Sequence, residues 1–134
     1  MLSLKNKNIL VAGGSGLLGT SITDLLIKKK AKVTSSFYSK KIKINKKYYK
    51  KFNFLKINDC LKATKNKDIV YIVAVKASGI LNLKKNFFKN NLDNIILRIN
   101  LLEACKVNKV KNIVWVSSST IYQPFSKPIK ENDL

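Results

Sequence analysis

The stretch that decides the fold is NILVAGGSGLLG, which covers residues 8–19. Its first part, Asn8–Ala12, is a short apolar run of the kind that forms a strand buried on both faces of a sheet. Three glycines follow at a regular spacing, Gly13, Gly16 and Gly19, and they lead into a segment with helical periodicity. Glycines spaced in this way, after a strand and at the start of a helix, indicate a phosphate-binding turn.

The three glycines suit a dinucleotide for separate physical reasons. In dinucleotide-binding units the first glycine permits the tight turn, the second lets the backbone approach a pyrophosphate, and the third lets the helix pack closely on the strand. The positive end of the helix dipole then faces the phosphates. We therefore expect a pyrophosphate site at this turn, with an ordinary glycine turn as the alternative.

Apolar strands and helical segments alternate along the rest of the chain. We predict strands over Asn8–Ala12, Lys32–Phe37, Phe52–Leu55, Ile69–Val75 and Asn112–Val116. We predict helices over Leu17–Lys29, Asp59–Lys65 and Phe87–Val107, and an exposed lysine-rich connection over Lys40–Lys51. On the last helix we expect one apolar face, made of Leu92, Ile95, Ile96, Ile99 and Leu102. The alternation favours an α/β fold, a doubly wound parallel sheet of the Rossmann type with strand order 3-2-1-4-5.

Length and composition limit the class of protein. With 134 residues and 46% hydrophobic content, the chain is one domain or part of one. It has no apolar run that could cross a bilayer and no targeting segment, so we expect a cytoplasmic protein without membrane association. Cys60 and Cys105 lie far apart and histidine is absent, so we expect no metal site and two reduced, half-buried thiols.

The net charge of +20 has two possible interpretations. A strongly basic surface is typical of proteins that bind nucleic acid or anionic membranes. However, Arg98 is the single arginine among 27 basic residues, whereas specific nucleic-acid readers rely on arginine. A lysine excess together with many asparagines and isoleucines is typical of AT-rich coding sequence, so we expect no specific nucleic-acid partner.

The end of the second predicted strand bears on the choice of cofactor. NAD-binding units place a carboxylate there to grip the ribose hydroxyls. The segment from Ser35 to Lys41 has no carboxylate and offers hydroxyls together with Lys40 and Lys41. These groups suit a 2′-phosphate, so we expect NADP, with NAD as the alternative if the lysines only reflect the general excess.

Three further motifs carry a resemblance to a known family. They are AVKASGI at residues 74–80, NIILRINLLEA at residues 94–104 and SSSTIY at residues 117–122. Together with the glycine turn they resemble the extended short-chain dehydrogenase/reductases, the NAD(P)-dependent sugar-nucleotide epimerases and dehydratases. The resemblance covers the whole chain and is closest to GDP-fucose synthases.

The resemblance implies roles for individual residues. Ser118, four places before Tyr122, would be the catalytic serine that helps to hold the reacting oxygen of the sugar. The substrate would also contact Lys76 and Thr120. The cofactor would contact the glycine turn and the ends of neighbouring strands, at Gly13, Ser15, Gly16, Leu17, Leu18, Gly19, Ser36, Lys40, Asp59 and Ala74.

The family's proton donor is a tyrosine in a Y-x-x-x-K motif, whose lysine lowers the pKa of the tyrosine. No tyrosine of this chain has a lysine four places on. We therefore expect residues 1–134 to be an incomplete cofactor-binding domain, truncated after strand five and inactive alone, with the missing motif beyond Leu134.

Departures from the family pattern narrow the expected reaction. Ser119 and Thr120 stand where dehydratases carry an Asp-Glu pair, and Thr120 stands where GDP-fucose synthases carry a cysteine. A 4-epimerase or a keto-sugar reductase remains, with a nucleotide sugar as substrate and a homodimer as the usual assembly of full-length members. The alternatives are a non-catalytic dinucleotide-binding module and, on charge alone, a nucleic-acid-binding protein.

Overall fold

The computed structural model describes residues 3–39, 42, 45–76, 80–118 and 130. The strands are β1 (Asn8–Ala12), β2 (Lys32–Phe37), β3 (Tyr49–Lys51), β4 (Ile69–Ile72) and β5 (Asn112–Trp115). The helices are α1 (Leu17–Lys28), α2 (Ile57–Thr64) and α3 (Ile80–Val107), and a 3-10 turn spans Lys46–Tyr48. All paired strands run parallel in the order β3-β2-β1-β4-β5, which confirms the doubly wound α/β fold and the predicted strand order.

The central strand β1 is buried on both faces because helices cover both sides of the sheet. Leu10 and Ala12 point into a core shared with α2 and α3. Ile9 and Val11 point the other way, into a core that includes Leu26 of α1. This alternation follows from the period of two residues in a strand, and it explains why the apolar run in the sequence is continuous.

The predicted third strand is wrong. The sequence favoured Phe52–Leu55, but β3 is Tyr49–Lys51, inside the stretch that we predicted as an exposed lysine-rich connection. An edge strand needs only one neighbour, and β3 finds it by pairing with the end of β2. The aromatic residues that suggested a strand have another use, because Phe54 is buried in the core and Phe52 packs against that core, with the two ring centroids 6.1 Å apart.

The predicted apolar face of the long helix is largely exposed. The side chains of Leu92, Ile95 and Ile99 are 45%, 53% and 59% exposed. The buried face is instead the neighbouring row, made of Leu97, Leu101, Ala104 and Cys105. Both rows have helical spacing, but the small side chains of the second row let α3 approach α2 and the sheet closely. The helix also begins at Ile80, earlier than the predicted Phe87.

Many lysines lie at the edge of the sheet where the strands begin. They occupy the turns that enter β1, β2, β4 and β5 and the neighbouring residues: Lys5, Lys7, Lys28, Lys29, Lys30, Lys32, Lys65, Lys67, Lys106, Lys109 and Lys111. The helices end at this edge, where cations interact favourably with the negative end of the helix dipole. Among the described residues no helix combines the length and apolarity that a membrane span requires.

The two cysteines are more buried than the sequence suggested. Cys60 of α2 and Cys105 of α3 are both free and have no exposed surface, and both belong to the core shared by the two helices. Burial raises the pKa of the Cys60 thiol to about 12, with a further contribution from the neighbouring Asp59 carboxylate. Burial likewise raises the pKa of Cys105 to about 11.

We expect both thiols to resist alkylation in the folded protein at pH 8.5. The thiolate is the reactive form, and a raised pKa keeps each sulfur protonated until the pH approaches 11. Iodoacetamide labelling followed by mass spectrometry would show no modification of the native chain over minutes and two modifications in denaturant. Rapid labelling of either cysteine in the native chain would contradict the buried arrangement.

Candidate dinucleotide-binding cleft

A cleft of about 710 Å³ opens at the edge where the parallel strands end. The turn from β1 into α1 forms one wall, and the residues that follow β2 and β3 form the next. The residues that follow β4, together with one face of α3, complete it. Open α/β sheets bind ligands at this edge, in the crevice where the strand order reverses.

Most of the predicted cofactor residues line this cleft. Those that do are Gly13, Ser15, Gly16, Leu17, Leu18, Gly19, Ser36 and Ala74. Lys76, which we expected to contact the substrate, lines the same cleft. Lys40, Lys41 and Thr120 lie outside the described residues. The structure thus gathers the glycine turn, the end of β2 and the residues after β4 around one space.

The glycine turn is held in place from β2. The Gly13 N–H donates to the Ser36 hydroxyl at 2.7 Å, and the Ser15 N–H donates to the Ser36 carbonyl at 3.2 Å. Gly13 has a φ of +95°, a conformation that suits glycine. The Gly16 N–H closes the turn on the Gly13 carbonyl at 3.1 Å. Ser36 therefore stabilises the conformation of the turn through these two hydrogen bonds, a role that the sequence did not suggest.

The four glycines of the turn differ in how much space surrounds them. A Cβ at Gly19 would lie 2.2 Å from the Gly13 carbonyl oxygen, and one at Gly14 would lie 1.7 Å from the Ser35 hydroxyl. A Cβ at Gly16 would meet only the Gly13 oxygen, at 3.4 Å. Gly14 and Gly19 are thus required by the packing of the fold, whereas the space beside Gly16 opens toward the cleft.

A buried hydroxyl pair fastens α1 to β2 beneath the turn. The Thr23 hydroxyl donates to the Gly19 carbonyl at 2.7 Å. The Ser35 hydroxyl lies 2.6 Å from the Thr23 hydroxyl. Both side chains are fully buried. Since buried polar groups are costly unless they are paired, this short chain of hydrogen bonds stabilises one position of α1 against the sheet.

The N-terminus of α1 faces the cleft without a side-chain cap. Gly16 is the N-cap residue, no side chain caps it, and the first turn of α1 carries no acidic residue. The first N–H groups of a helix lack intrahelical partners, and the helix dipole adds positive potential there. The backbone at this end of the cleft is therefore suited to an anion such as a pyrophosphate.

Asp59 does not line the cleft and holds one of its walls instead. Its carboxylate accepts a hydrogen bond from the Asn53 N–H at 2.8 Å. The Asn53 side-chain oxygen in turn accepts from the Leu55 N–H at 3.1 Å. Asn53, Phe54 and Leu55 all contribute to the cleft, and the sequence analysis missed them. Because the third strand was predicted three residues too late, these residues were assigned to a strand instead of a loop.

Lys76 is tied to α3 by two neighbouring residues. Its backbone N–H donates to the Asn94 side-chain oxygen at 2.7 Å, and its carbonyl accepts from the Asn94 amide nitrogen at 3.3 Å. Its ammonium group forms an ion pair with the Asp93 carboxylate. Asp93 also lines the cleft and was not expected from the sequence, because a single acid on a helix gives no signal of where it points.

Ser118 lies beside the cleft in a smaller cavity of about 160 Å³. Leu18 and the segment 73–75 line both cavities, which therefore adjoin. The small cavity is also lined by Ser117, Arg98 and Trp115, and the Arg98 guanidinium lies 5.6 Å from the centre of the Trp115 ring. That distance permits a cation–π interaction. A group bound near Ser118 would thus be next to the end of β4 and the glycine turn.

The glycines allow a matched test of the turn. We expect Gly19→Ala to lower the free energy of unfolding by about 2–4 kcal/mol, because its Cβ would overlap the Gly13 carbonyl. Gly16→Ala should change stability by less than about 1 kcal/mol. Its methyl group would occupy the open space beside Gly16 and push a bound phosphate away from a backbone N–H, so dinucleotide binding should weaken about tenfold. Denaturant unfolding and calorimetric titration measure the two effects, and equal destabilisation by both variants would contradict this distinction.

Solved structures support the fold over almost the whole chain. A UDP-N-acetylglucosamine 4-epimerase from Methanobrevibacter ruminantium M1, in complex with UDP-N-acetylmuramic acid, is 32% identical with a TM-score of 0.77. The match covers 95% of this chain and 43% of that one. A UDP-glucose 4-epimerase from Brucella ovis, in complex with NAD, has a TM-score of 0.74 over 94% of this chain and 40% of its own; at 21% identity it supports the fold alone.

Sequence comparisons point to the same group of proteins. GDP-mannose 3,5-epimerase 1 from Oryza sativa subsp. japonica is 30% identical over 82 residues, which are 58% of this chain. The match spans only 22% of the length of that relative. The expected closeness to GDP-fucose synthases stays a prediction. The model of the Epimerase family, described as the NAD dependent epimerase/dehydratase family, matches residues 9–134. The chain belongs to this family.

Proposed function

We propose that this chain is the nicotinamide-dinucleotide-binding portion of a sugar-nucleotide epimerase or keto-sugar reductase. The observation that carries the proposal is the glycine turn, whose backbone leaves an uncapped helix N-terminus facing a cleft of about 710 Å³. An added side chain at Gly14 or Gly19 would collide with the fold, and the space at Gly16 stays open. These features fit a pyrophosphate that lies against the backbone.

The rest of the cleft fits the other parts of a dinucleotide. Phe37 at the end of β2, with Tyr38 and Ser39 after it, offers a surface for the adenosine ribose. Asn53 and Phe54 offer an amide and a ring beside it. A bound nicotinamide cofactor would exchange a hydride with a sugar carbon. In this chain, Ser118 would hydrogen-bond the reacting oxygen, at a cavity that adjoins the cleft. Asp59 would act indirectly, by holding Asn53 in place.

The residues after β2 support a preference for NADP. The described cleft residues from Ser36 to Ser39 include no carboxylate that would repel a 2′-phosphate. The Ser36 hydroxyl is engaged with the glycine turn, which leaves Ser39 and the lysines that follow it as the groups suited to a phosphate. Among the described lining residues the one carboxylate, Asp93, belongs to α3 and is paired with Lys76.

We expect NADPH to bind at least about tenfold more tightly than NADH in calorimetric titrations, which corresponds to about 1.4 kcal/mol. Replacing Lys40 and Lys41 together with alanine should remove this preference. Replacing Lys28 and Lys29 with alanine changes the net charge equally at the opposite edge of the sheet and should leave the preference intact. Equal affinity for the two dinucleotides would rule out NADP selection by this segment, while binding of neither would overturn the proposed function.

The substrate class and partners follow from the family and are part of this proposal. Solved members similar to this chain are named as UDP-sugar epimerases, and curated relatives as GDP-mannose epimerases. We propose a nucleotide sugar as the substrate of the complete protein, a homodimer as its assembly and the cytoplasm as its location. An epimerase and a reductase differ in whether the dinucleotide has to leave the cleft after each turnover.

We expect residues 1–134 to bind a dinucleotide without turning over sugar nucleotides. These residues contain no histidine and no tyrosine with a lysine four places on, so no evident group moves a proton at neutral pH. Incubation with UDP-glucose, or with a UDP-4-keto sugar and NADPH, should give no product by chromatography. Added polypeptide that carries a Y-x-x-x-K segment should restore turnover. Product formation by residues 1–134 alone would contradict this prediction, and binding without restoration would favour a non-catalytic module.

A further inference from the structure

The described residues that line the cleft carry almost no net charge, although the chain carries a net charge of +20. Among the described residues that line it, only Lys76 and Asp93 are charged. These two side chains are paired with each other. The glycine turn therefore shares its cleft with one cation and one carboxylate, and the lysine excess of the chain contributes no second cation among the described lining residues.

The position of Lys76 and the direction of its ammonium group depend on different residues. Asn94 holds the Lys76 backbone through both its N–H and its carbonyl, at 2.7 Å and 3.3 Å. Asp93 instead contacts the ammonium group of Lys76. The side chain of Asp93 is 13% exposed, compared with 47% for Lys76. The backbone of residue 76 thus stays fixed when its ammonium changes partner, and the carboxylate is the more enclosed member of the pair.

A pyrophosphate at the glycine turn would introduce a second acceptor for this ammonium group. It carries two negative charges, whereas Asp93 carries one, so it attracts the flexible lysine side chain more strongly. Once Lys76 turns to the phosphates, Asp93 is left as a largely enclosed carboxylate without its cation. The same carboxylate also repels the phosphates within the cleft. Both effects oppose dinucleotide binding.

We propose that Asp93 weakens dinucleotide binding by competing with the pyrophosphate for the Lys76 ammonium group. This inference rests on the proposed dinucleotide-binding function of the cleft. It assigns Lys76 to the anionic part of the cofactor and Asp93 to the control of cofactor release. Asn94 positions the segment on which this exchange takes place.

The test is Asp93→Asn, studied by calorimetric titration with NADPH and NADH. The amide keeps the size of the side chain and removes its charge, so we expect binding to become about three- to tenfold tighter at low salt. The gain should shrink as salt screens the cleft. Asp24→Asn is the matched control. It changes the net charge equally, but Asp24 lies on α1, accepts a hydrogen bond from the exposed Asn45 side chain and is not among the described residues that line the cleft, so affinity should stay within twofold.

Lys76→Met separates the competition for the ammonium group from the direct repulsion between Asp93 and the phosphates. It should weaken binding, and Asp93→Asn in that background should give a smaller gain, since only direct repulsion remains to be relieved. Circular dichroism of each variant would show that the fold is kept. Unchanged or weaker binding by Asp93→Asn, with the wild type still binding, would overturn this inference and leave the proposed function standing. If neither the wild type nor the variant binds a dinucleotide, the proposed function fails and this inference fails with it.

Discussion

The close approach of Gly19 to the Gly13 carbonyl oxygen is the contact on which the cleft depends. It brings the first turn of α1 against the end of β1, so that the N-terminus of the helix points into the space above the sheet. Ser36 fixes the turn from the neighbouring strand, and Thr23 and Ser35 fix the helix beneath it. Two neighbouring residues of β2, Ser35 and Ser36, thus hold both the turn and the helix. The register between β1 and β2 therefore determines the shape of the glycine turn as well as the core.

The agreement between predicted and observed bounds differs from strand to strand. The first two strands, Asn8–Ala12 and Lys32–Phe37, were predicted with their observed bounds, because the glycine turn and the surrounding helices impose clear patterns on them. The edge strand β3 was misplaced because Tyr49–Lys51 has one neighbour and needs no apolar pattern. That error also hid Asn53. The pairing of Lys76 with Asp93 could not be predicted, because it depends on how α3 lies against the residues after β4.

In the long helix, too, the sequence pattern did not determine the tertiary contacts. Its sequence offers two apolar rows, and periodicity alone does not decide between them. Packing against α2 selects the row with Ala104 and Cys105, where small side chains allow a short distance between helices. Leu92, Ile95 and Ile99 are left on the exposed side. The amphipathic pattern thus identified the helix correctly, and only the tertiary structure showed which row is buried.

The uneven distribution of charge bears on how the cofactor is used. Lysines crowd the edge where the strands begin, while at the other edge the described lining of the cleft holds one lysine balanced by one carboxylate. An epimerase returns the hydride to the sugar within each turnover, so it has no need to release its dinucleotide. A reductase must exchange an oxidised dinucleotide for a reduced one each time. A carboxylate that draws the Lys76 ammonium away from the phosphates is useful only where the cofactor has to leave. Under our two proposals, the ion pair between Lys76 and Asp93 would therefore suit a keto-sugar reductase better than an epimerase.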